Sequence, residues 1–309
     1  MDCNKKGIIQ IQTGRLKTSG FSVIKRNAGM AEKKNSAVDV LNKGVRIMIK
    51  LVATDMDGTL LNDKKEKPAD FEAWVMAHPE ILTVIASGRQ YYALERDFIP
   101  IKDHLIFVAE NGGLVFHKGE IIYSNEMEKD DVYDCLDRLE QVPGAQVILC
   151  GAKSAYVSAP DDDTYNNVIM YYERMTVCAD MAELRSCVEK DQIIKIALYF
   201  KENDADAKRV YFKDFRKNLS VALSGDAYID IANASVNKGV AIEAIQKRFG
   251  IDRSESMAFG DFLNDCQLLE SCEESYCMEN GHPELKRLAK HIAESNENNG
   301  VMKVLYTLG

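Results

Sequence analysis

No apolar run in this chain approaches the roughly 18 residues that a membrane-spanning helix requires. A signal-peptide core is missing too: the stretch Ile8–Ile11 is too short and is soon followed by Arg15 and Lys17. Together these absences imply a cytoplasmic protein with no membrane partner. Cysteine is present but never spaced as Cys-x-x-Cys: Cys3, Cys135, Cys150, Cys178, Cys187, Cys266, Cys272 and Cys277 are scattered. In a chain of 309 residues that scatter argues against a disulfide framework or a zinc site and for reduced thiols. There is no internal repeat, no low-complexity segment and no basic stripe on the body. The net charge is −9; residues 1–48 hold ten Lys or Arg against three Asp or Glu, which leaves 29 against 45 for the rest. An acidic body of this kind is a poor nucleic-acid binder.

The chain is long enough for a large core and two domains, and its 46% hydrophobic and 28% charged residues are ordinary for a globular protein. Residues 1–47 are polar and basic, with Gly7, Gly14, Gly20, Gly29 and Gly44 breaking any periodicity, and are expected to be a disordered leader. Met48 fits a start of the domain proper, with the preceding residues as an upstream extension of the coding frame.

The run Ile47–Ala53 is almost wholly apolar and stops at two carboxylates, Asp55 and Asp57, followed by Gly58 and Thr59. A strand of that composition suits a parallel sheet buried on both faces. Its carboxyl end would deliver both aspartates to the crevice where open α/β sheets bind ligands. Like charges so close call for a cation or a shared proton. A bare Asp-x-Asp-Gly is more often only a turn, so partners elsewhere must decide. The same grammar recurs. Ile81–Ala86 ends in Ser87-Gly88-Arg89, Leu105–Ala109 in Glu110-Asn111-Gly112-Gly113, and Ser256–Phe259 in Gly260-Asp261-Phe262-Leu263-Asn264-Asp265. Ser87, at a helix start, suits an anion or serves as a plain N-cap. Arg89 is expected to cap or pair at the sheet edge.

These strands alternate with helices, which implies a doubly wound, Rossmann-like parallel sheet. The pattern changes between 127 and 230, where a helix through Leu136, strands near Gln146–Cys150 and Ala155–Ser158, a helical stretch Tyr165–Arg174, a strand Gln192–Phe200, a helix Ala205–Asn218 and two last strands read as a separate α+β unit. The expected division is therefore 1–47 leader, 48–126 core, 127–230 inserted cap and 231–309 core again. Every candidate catalytic group lies outside the insert.

Four carboxylates at two strand ends, Asp55/Asp57 and Asp261/Asp265, with an anion-binding turn at Ser87 and Lys238 at the start of a helix, describe a magnesium-assisted phosphoryl-transfer site. With these motifs in order, and with Asn237-Lys238-Gly239, Ser295-Asn296 and Gly300-Val301, the chain from about 48 to 309 resembles the haloacid dehalogenase-like superfamily and, within it, the Cof-type subclass IIB phosphatases. Ser87 stands where Thr is commoner, and Cys277-Met278-Glu279-Asn280-Gly281 replaces a more usual Ala-Met-x-Asn-Ala. The resemblance implies that Asp55 is the nucleophile of an aspartyl-phosphate pathway and Asp57 the general acid and base. It implies that Mg2+ is held by Asp55, Asp57 through its backbone carbonyl, and Asp261, with Asp265 in support. Met56, Ser87, Gly88, Lys238 and Asn264 would bind the phosphate, and Thr59 and Asn111 would support the site. The insert resembles the subclass cap that closes over the site. The implied partner is a small phosphorylated, sugar-phosphate-like metabolite, and the implied assembly a monomer or small homo-oligomer. A phosphomutase of the same cap class and a non-catalytic metabolite-binding protein are the alternatives; the intact aspartate pair weighs against the second.

Overall fold

The computed structural model describes residues 48–308 apart from 140, 213–216 and 225, and the expected leader lies outside the described residues. The apolar run yields β1 (Leu51–Asp55), buried at every position. It is followed by β2 (Leu82–Ala86), β3 (Leu105–Ala109), β4 (Leu114–His117) and β5 (Glu120–Ser124). A second set comes next: β6 (Ala145–Gly151), β7 (Ala155–Ser158), β8 (Met175–Cys178), β9 (Ile193–Phe200), β10 (Leu219–Leu223) and β11 (Tyr228–Asn233). The chain then returns to the first sheet with β12 (Ser256–Gly260), β13 (Glu274–Met278) and β14 (His291–Ala293).

The first sheet has the order β14-β13-β12-β1-β2-β3-β4-β5. It is parallel from β14 through β3, and its β3-β4-β5 edge is antiparallel. Side chains alternate between two cores. Val52, Ile85 and Phe107 pack with Phe71, Leu94 and Leu305 on one face. Leu51, Ala53, Val84 and Ile106 pack with Ile242, Leu268 and Leu285 on the other. Helices cover both faces, which is why β1 shows no polar alternation. The chain runs outward from β1 to β2 on one side and re-enters beside it at β12 on the other. The carboxyl end of β1 is thus the switch point at which open α/β sheets form a crevice.

The second sheet has the order β10-β11-β9-β6-β7-β8 and is antiparallel except between β7 and β8. One face packs on the helices Lys129–Leu139 and Met181–Ser186, the other on the helix Asp162–Ile169. Here the sequence reading needs correction. The helical stretch expected over Tyr165–Arg174 is the helix Asp162–Ile169, capped by Asp161, whose carboxylate accepts the Thr164 N–H at 2.7 Å. The residues after it leave the helix to feed β8, a strand too short and too exposed to announce itself. Of the helix expected over Ala205–Asn218, the described residues form an α-helix at Ala205–Lys208 and a 3-10 turn at Arg209–Phe212. Of these eight residues only Ala205 and Phe212 are buried, so no apolar stripe carries the α-helix through them.

Three contacts seat the second sheet over the carboxyl ends of β2 and β3. The buried Gln90 amide donates to the Arg174 carbonyl and accepts the Arg174 N–H, both at 2.9 Å. Ile194 presses so closely on Gly113 that a Cβ there would lie 2.1 Å from its Cγ2. The Lys195 ammonium, nearly buried, reaches Glu110 at 2.8 Å and Asp230 at 3.3 Å. Among the described residues no helix is long and apolar enough to cross a membrane.

Candidate active site

The register of the sheet decides what meets at the switch point. Asp55 lies opposite Ala86 in the β1–β2 ladder, so Ser87 follows at the same level. Thr54 lies opposite Phe259 in the β1–β12 ladder, so Gly260 and Asp261 come next on the other side. Lys238 arrives from outside the sheet. Asn237 is the N-cap of the helix Lys238–Phe249, and its side chain accepts the Val240 N–H at 3.0 Å. That cap fixes Lys238 as the first helical residue. Gly239 lets the helix approach, since a Cβ there would lie 2.4 Å from the Gln267 carbonyl oxygen.

The Lys238 ammonium is wholly buried and donates to Asp55 Oδ1 at 2.5 Å and Asp265 Oδ1 at 2.6 Å. The second oxygen of Asp265 accepts the backbone N–H groups of Asp261 at 3.0 Å and Phe262 at 3.2 Å, so Asp265 shapes the turn that carries Asp261. Thr59 donates its hydroxyl to Asp261 at 3.1 Å. Gly58, at φ +81°, runs against the same carboxylate; a Cβ would lie 2.4 Å from Asp261 Oδ2. The turn requires glycine for both reasons.

Asp55, Asp261 and Asp265 each offer an oxygen within 4.8 Å of the others. Burial pushes the Asp55 carboxyl far up, to about 8, although Lys238 opposes the shift. Burial and the charge of Asp265 raise Asp261. Burial alone would lower Lys238, but Asp55 and Asp265 outweigh it and hold the ammonium charged. Three clustered carboxylates against one ammonium leave negative charge to be neutralised in a buried setting. Hard oxygen donors at this spacing fit a divalent cation such as Mg2+.

Asp57 stands apart from this cluster. Its carboxylate receives a two-pronged contact from Arg89, Nε to Oδ2 at 2.9 Å and Nη2 to Oδ1 at 2.6 Å. Lys65 adds a third donor at 2.8 Å. Burial pushes Asp57 up, but the hydrogen bonds and charges of Arg89 and Lys65 overcome it and hold the group below the usual carboxylate range. Arg89 also donates to Asp97 at 3.1 Å, so it does pair at the sheet edge. Asp57 and Arg89 face a cleft of about 1130 Å3 that is also lined by Leu61 and Lys67 and by Met170 and Tyr171, in the turn after the helix Asp162–Ile169.

The other expected residues are placed as follows. Ser87 is buried, its hydroxyl accepting the Arg89 N–H at 3.2 Å and its carbonyl accepting the Asn111 N–H at 2.9 Å. Ser87 is not the cap of the following helix, which starts at Tyr91 with Gln90 as N-cap. Gly88 lies under Asn111, whose amide would be 3.0 Å from an added Cβ. Asn264 donates to Asn111 at 3.1 Å, joining two strand ends across the opening. Met56 is buried in the core with its carbonyl accepting the Leu61 N–H at 2.8 Å. Glu110 and Asn111 both adopt left-handed backbone, φ 50° and 55°, a rare setting for glutamate that is forced by the turn into Gly112. Sequence reasoning missed Lys65, Gln90, Lys195 and the Met170-Tyr171 wall. None carries a local signal, because each acts through a partner distant in sequence or across the cleft.

A family model described as haloacid dehalogenase-like hydrolase matches residues 52–305. The 5-amino-6-(5-phospho-D-ribitylamino)uracil phosphatase YbjI of Escherichia coli (strain K12) is 34% identical over 262 residues, covering 83% of this chain and 95% of that protein. The crystal structure of SMU.1108c from Streptococcus mutans UA159 is similar with a TM-score of 0.72 at 27% identity, covering 84% of this chain and 98% of the other. A subclass IIB sugar phosphatase, BT4131, shares the fold with a TM-score of 0.66 at 19% identity, covering 84% and 99% of the two chains.

Proposed function

The chain belongs to the haloacid dehalogenase-like hydrolases, as a Cof-type phosphatase, and we propose that it hydrolyses small phosphorylated metabolites with Mg2+ through a phosphorylated Asp55. The observation that carries this reading is the buried Lys238 bridging Asp55 and Asp265 beside Asp261, with a second aspartate, Asp57, held separately by Arg89 and Lys65.

In the first half-reaction an Asp55 oxygen attacks phosphorus, the bond from phosphorus to the ester oxygen breaks, and Asp57 gives a proton to the departing alkoxide. In the second, the oxygen of a water molecule attacks phosphorus and Asp57 takes the water's proton. The bond from phosphorus to Asp55 then breaks, releasing inorganic phosphate and restoring the carboxylate. Asp57 is ionised in the free site, as the second step needs. A phosphate dianion placed beside it supplies the negative field that raises its hold on a proton for the first. Lys238 fixes the attacking carboxylate and presents positive charge to the phosphoryl oxygens. Ser87, Gly88 and Asn264 complete that cradle at neighbouring strand ends. Asp55, Asp261 and the Asp57 carbonyl would hold Mg2+, with Asp265 orienting Asp261; the ion would neutralise phosphoryl charge as it builds. The inserted sheet acts as a cap that excludes water from the covalent intermediate. Seven buried free thiols among the described residues support a reducing, cytoplasmic setting. A monomer or small homo-oligomer completes the reading.

The test is phosphate release from a panel of phosphate monoesters with and without Mg2+, coupled to mass spectrometry of acid-quenched enzyme. The panel includes 5-amino-6-(5-phospho-D-ribitylamino)uracil, the compound named in the E. coli relative. Cation-dependent release with a phosphate on the peptide containing Asp55 is expected. Full turnover in the presence of a chelator, or no phosphate on that peptide under conditions that trap it in a slow-hydrolysing Asp57→Asn variant, would overturn the reading.

A further inference from the structure

The geometry points to a specificity device: the exposed Met170-Tyr171 pair, in the turn after the helix Asp162–Ile169 of the insert, is a platform for a flat, uncharged ring on the leaving group. The inference rests on the phosphatase reading and adds the chemistry of the alcohol that departs. It starts from which aspartate faces the cleft. Asp57 lies in the wall of the 1130 Å3 cleft, whereas Asp55, Lys238 and Asp261 do not. A general acid must touch the oxygen that leaves, so the leaving group occupies the cleft on the Asp57 side.

The lining then says what that group can be. Every basic side chain there already has an acid. Lys65 pairs with Asp57 at 2.8 Å and Lys67 with Glu72 at 2.5 Å. Arg89 pairs with Asp57 and Asp97, and Arg96 with Asp97 and Glu173. Among the described residues of that lining, a second phosphate or a carboxylate on the substrate would find every cation already paired. The opposite wall is apolar and unusually open. Ile169, Met170 and Tyr171 follow one another and are 38%, 71% and 57% exposed. Three consecutive large apolar side chains held open at the mouth of a cleft mark a binding surface.

Tyr171 is also held in place before anything binds. Its ring makes a T-shaped contact with Tyr228, centroids 5.4 Å apart, and Tyr228 in turn packs on Tyr199 at 5.2 Å. An aromatic side chain held by a ring contact yet still more than half exposed is suited to stacking, and Met170 beside it is the adaptable partner such a surface uses. The segment is anchored to the core by the Gln90 clamp on Arg174, three residues on, so the platform keeps its distance from Asp57.

The experiment compares matched esters that differ only by the ring: adenosine 5'-monophosphate against ribose 5-phosphate, and flavin mononucleotide against ribitol 5-phosphate. The ratio of kcat/KM, ring-bearing over ring-less, is expected to exceed tenfold in at least one pair for the unmodified protein. Tyr171→Ala should lower that ratio about tenfold, in line with the loss of one stacked base on an aromatic side chain. Tyr171→Phe should preserve it and Met170→Ala should lower it less. Ratios near one for both pairs in the unmodified protein, or a ratio that Tyr171→Ala leaves unchanged, would overturn the inference while the phosphatase reading stands. Release from none of the four esters nor from any other monoester would overturn both. Melting temperatures of the variants, read alongside, are expected to match the parent because both side chains are exposed. A variant that fails to fold would contradict the exposed platform itself.

Discussion

Replacing Lys238 by Met removes the positive charge that, among the described residues, bridges Asp55 and Asp265. The ammonium is fully buried, and the two carboxylates are 9% and 0% exposed, so water cannot take its place. Breaking a buried pair by deleting one partner costs about 3–5 kcal/mol, because the remaining charge is left uncompensated. At about 2–4 °C per kcal/mol for a unit of this size, the metal-free variant should melt roughly 6–20 °C lower than the parent. The deficit should also depend on pH. Asp55 has a folded-state pKa raised from 3.8 to about 8, so its contribution to stability is present at low pH and lost as pH rises through about 8. Lys238 opposes that rise, and without it the native state holds the Asp55 proton still more tightly. Protonation relieves the variant at pH 5–6, so its deficit against the parent should widen toward pH 8. Adding Asp55→Asn to the variant removes one stranded carboxylate and should recover a large part of the loss. The assay is urea or thermal unfolding of chelator-treated protein at pH 5.5, 7 and 8, as a double-mutant cycle. A loss under about 1 kcal/mol at all three pH values, or no recovery in the double variant, would refute the argument that this lysine neutralises buried charge.

Asp57→Asn should cut kcat far more for alkyl phosphates than for activated aryl phosphates, because only the poor leaving group needs a proton; equal losses would remove the general-acid role. Gly112→Ala is expected to cost more than about 2 kcal/mol and to lower kcat. Gly112 sits at φ +102°, where an added Cβ would lie 2.2 Å from the Asn237 carbonyl oxygen, at the cap that presents Lys238. Gly144→Ala, at φ +77° but with open space around it, is the control, and similar effects of the two would show that only backbone strain matters. Gln90→Ala removes both hydrogen bonds to the Arg174 backbone and should lower stability by about 1–3 kcal/mol. It should also raise KM more than it lowers kcat, since the substrate-facing wall loosens while the catalytic cluster does not. An unchanged KM would detach that wall from substrate binding.

By itself the sequence determined the elements that repeat a strong local signal. Strands buried on both faces must be continuously apolar, and so β1, β2, β3 and β12 stand out together with the polar residues that end them. Asn237 before Lys238 and Gly250 after Phe249 bracket a helix through capping chemistry that is local by nature. Asp55, Ser87, Lys238 and Asp261 could therefore be named before any fold was known. The inserted sheet was less legible. Its exposed β8, its three-residue counterpart β14 in the first sheet, and the short helix Ala205–Lys208 owe their form to neighbours rather than to periodicity. Pairing across the structure was beyond the sequence altogether. That Asp55 shares Lys238 with Asp265, while Asp57, two residues on, turns away to Arg89 and Lys65, follows from sheet register and from the turn at Gly58. The two aspartates are near-identical in sequence context, yet burial beside like charge raises one while a guanidinium and an ammonium lower the other. Only the tertiary structure could separate them, because the field at a carboxylate is set by groups that the chain brings from far away.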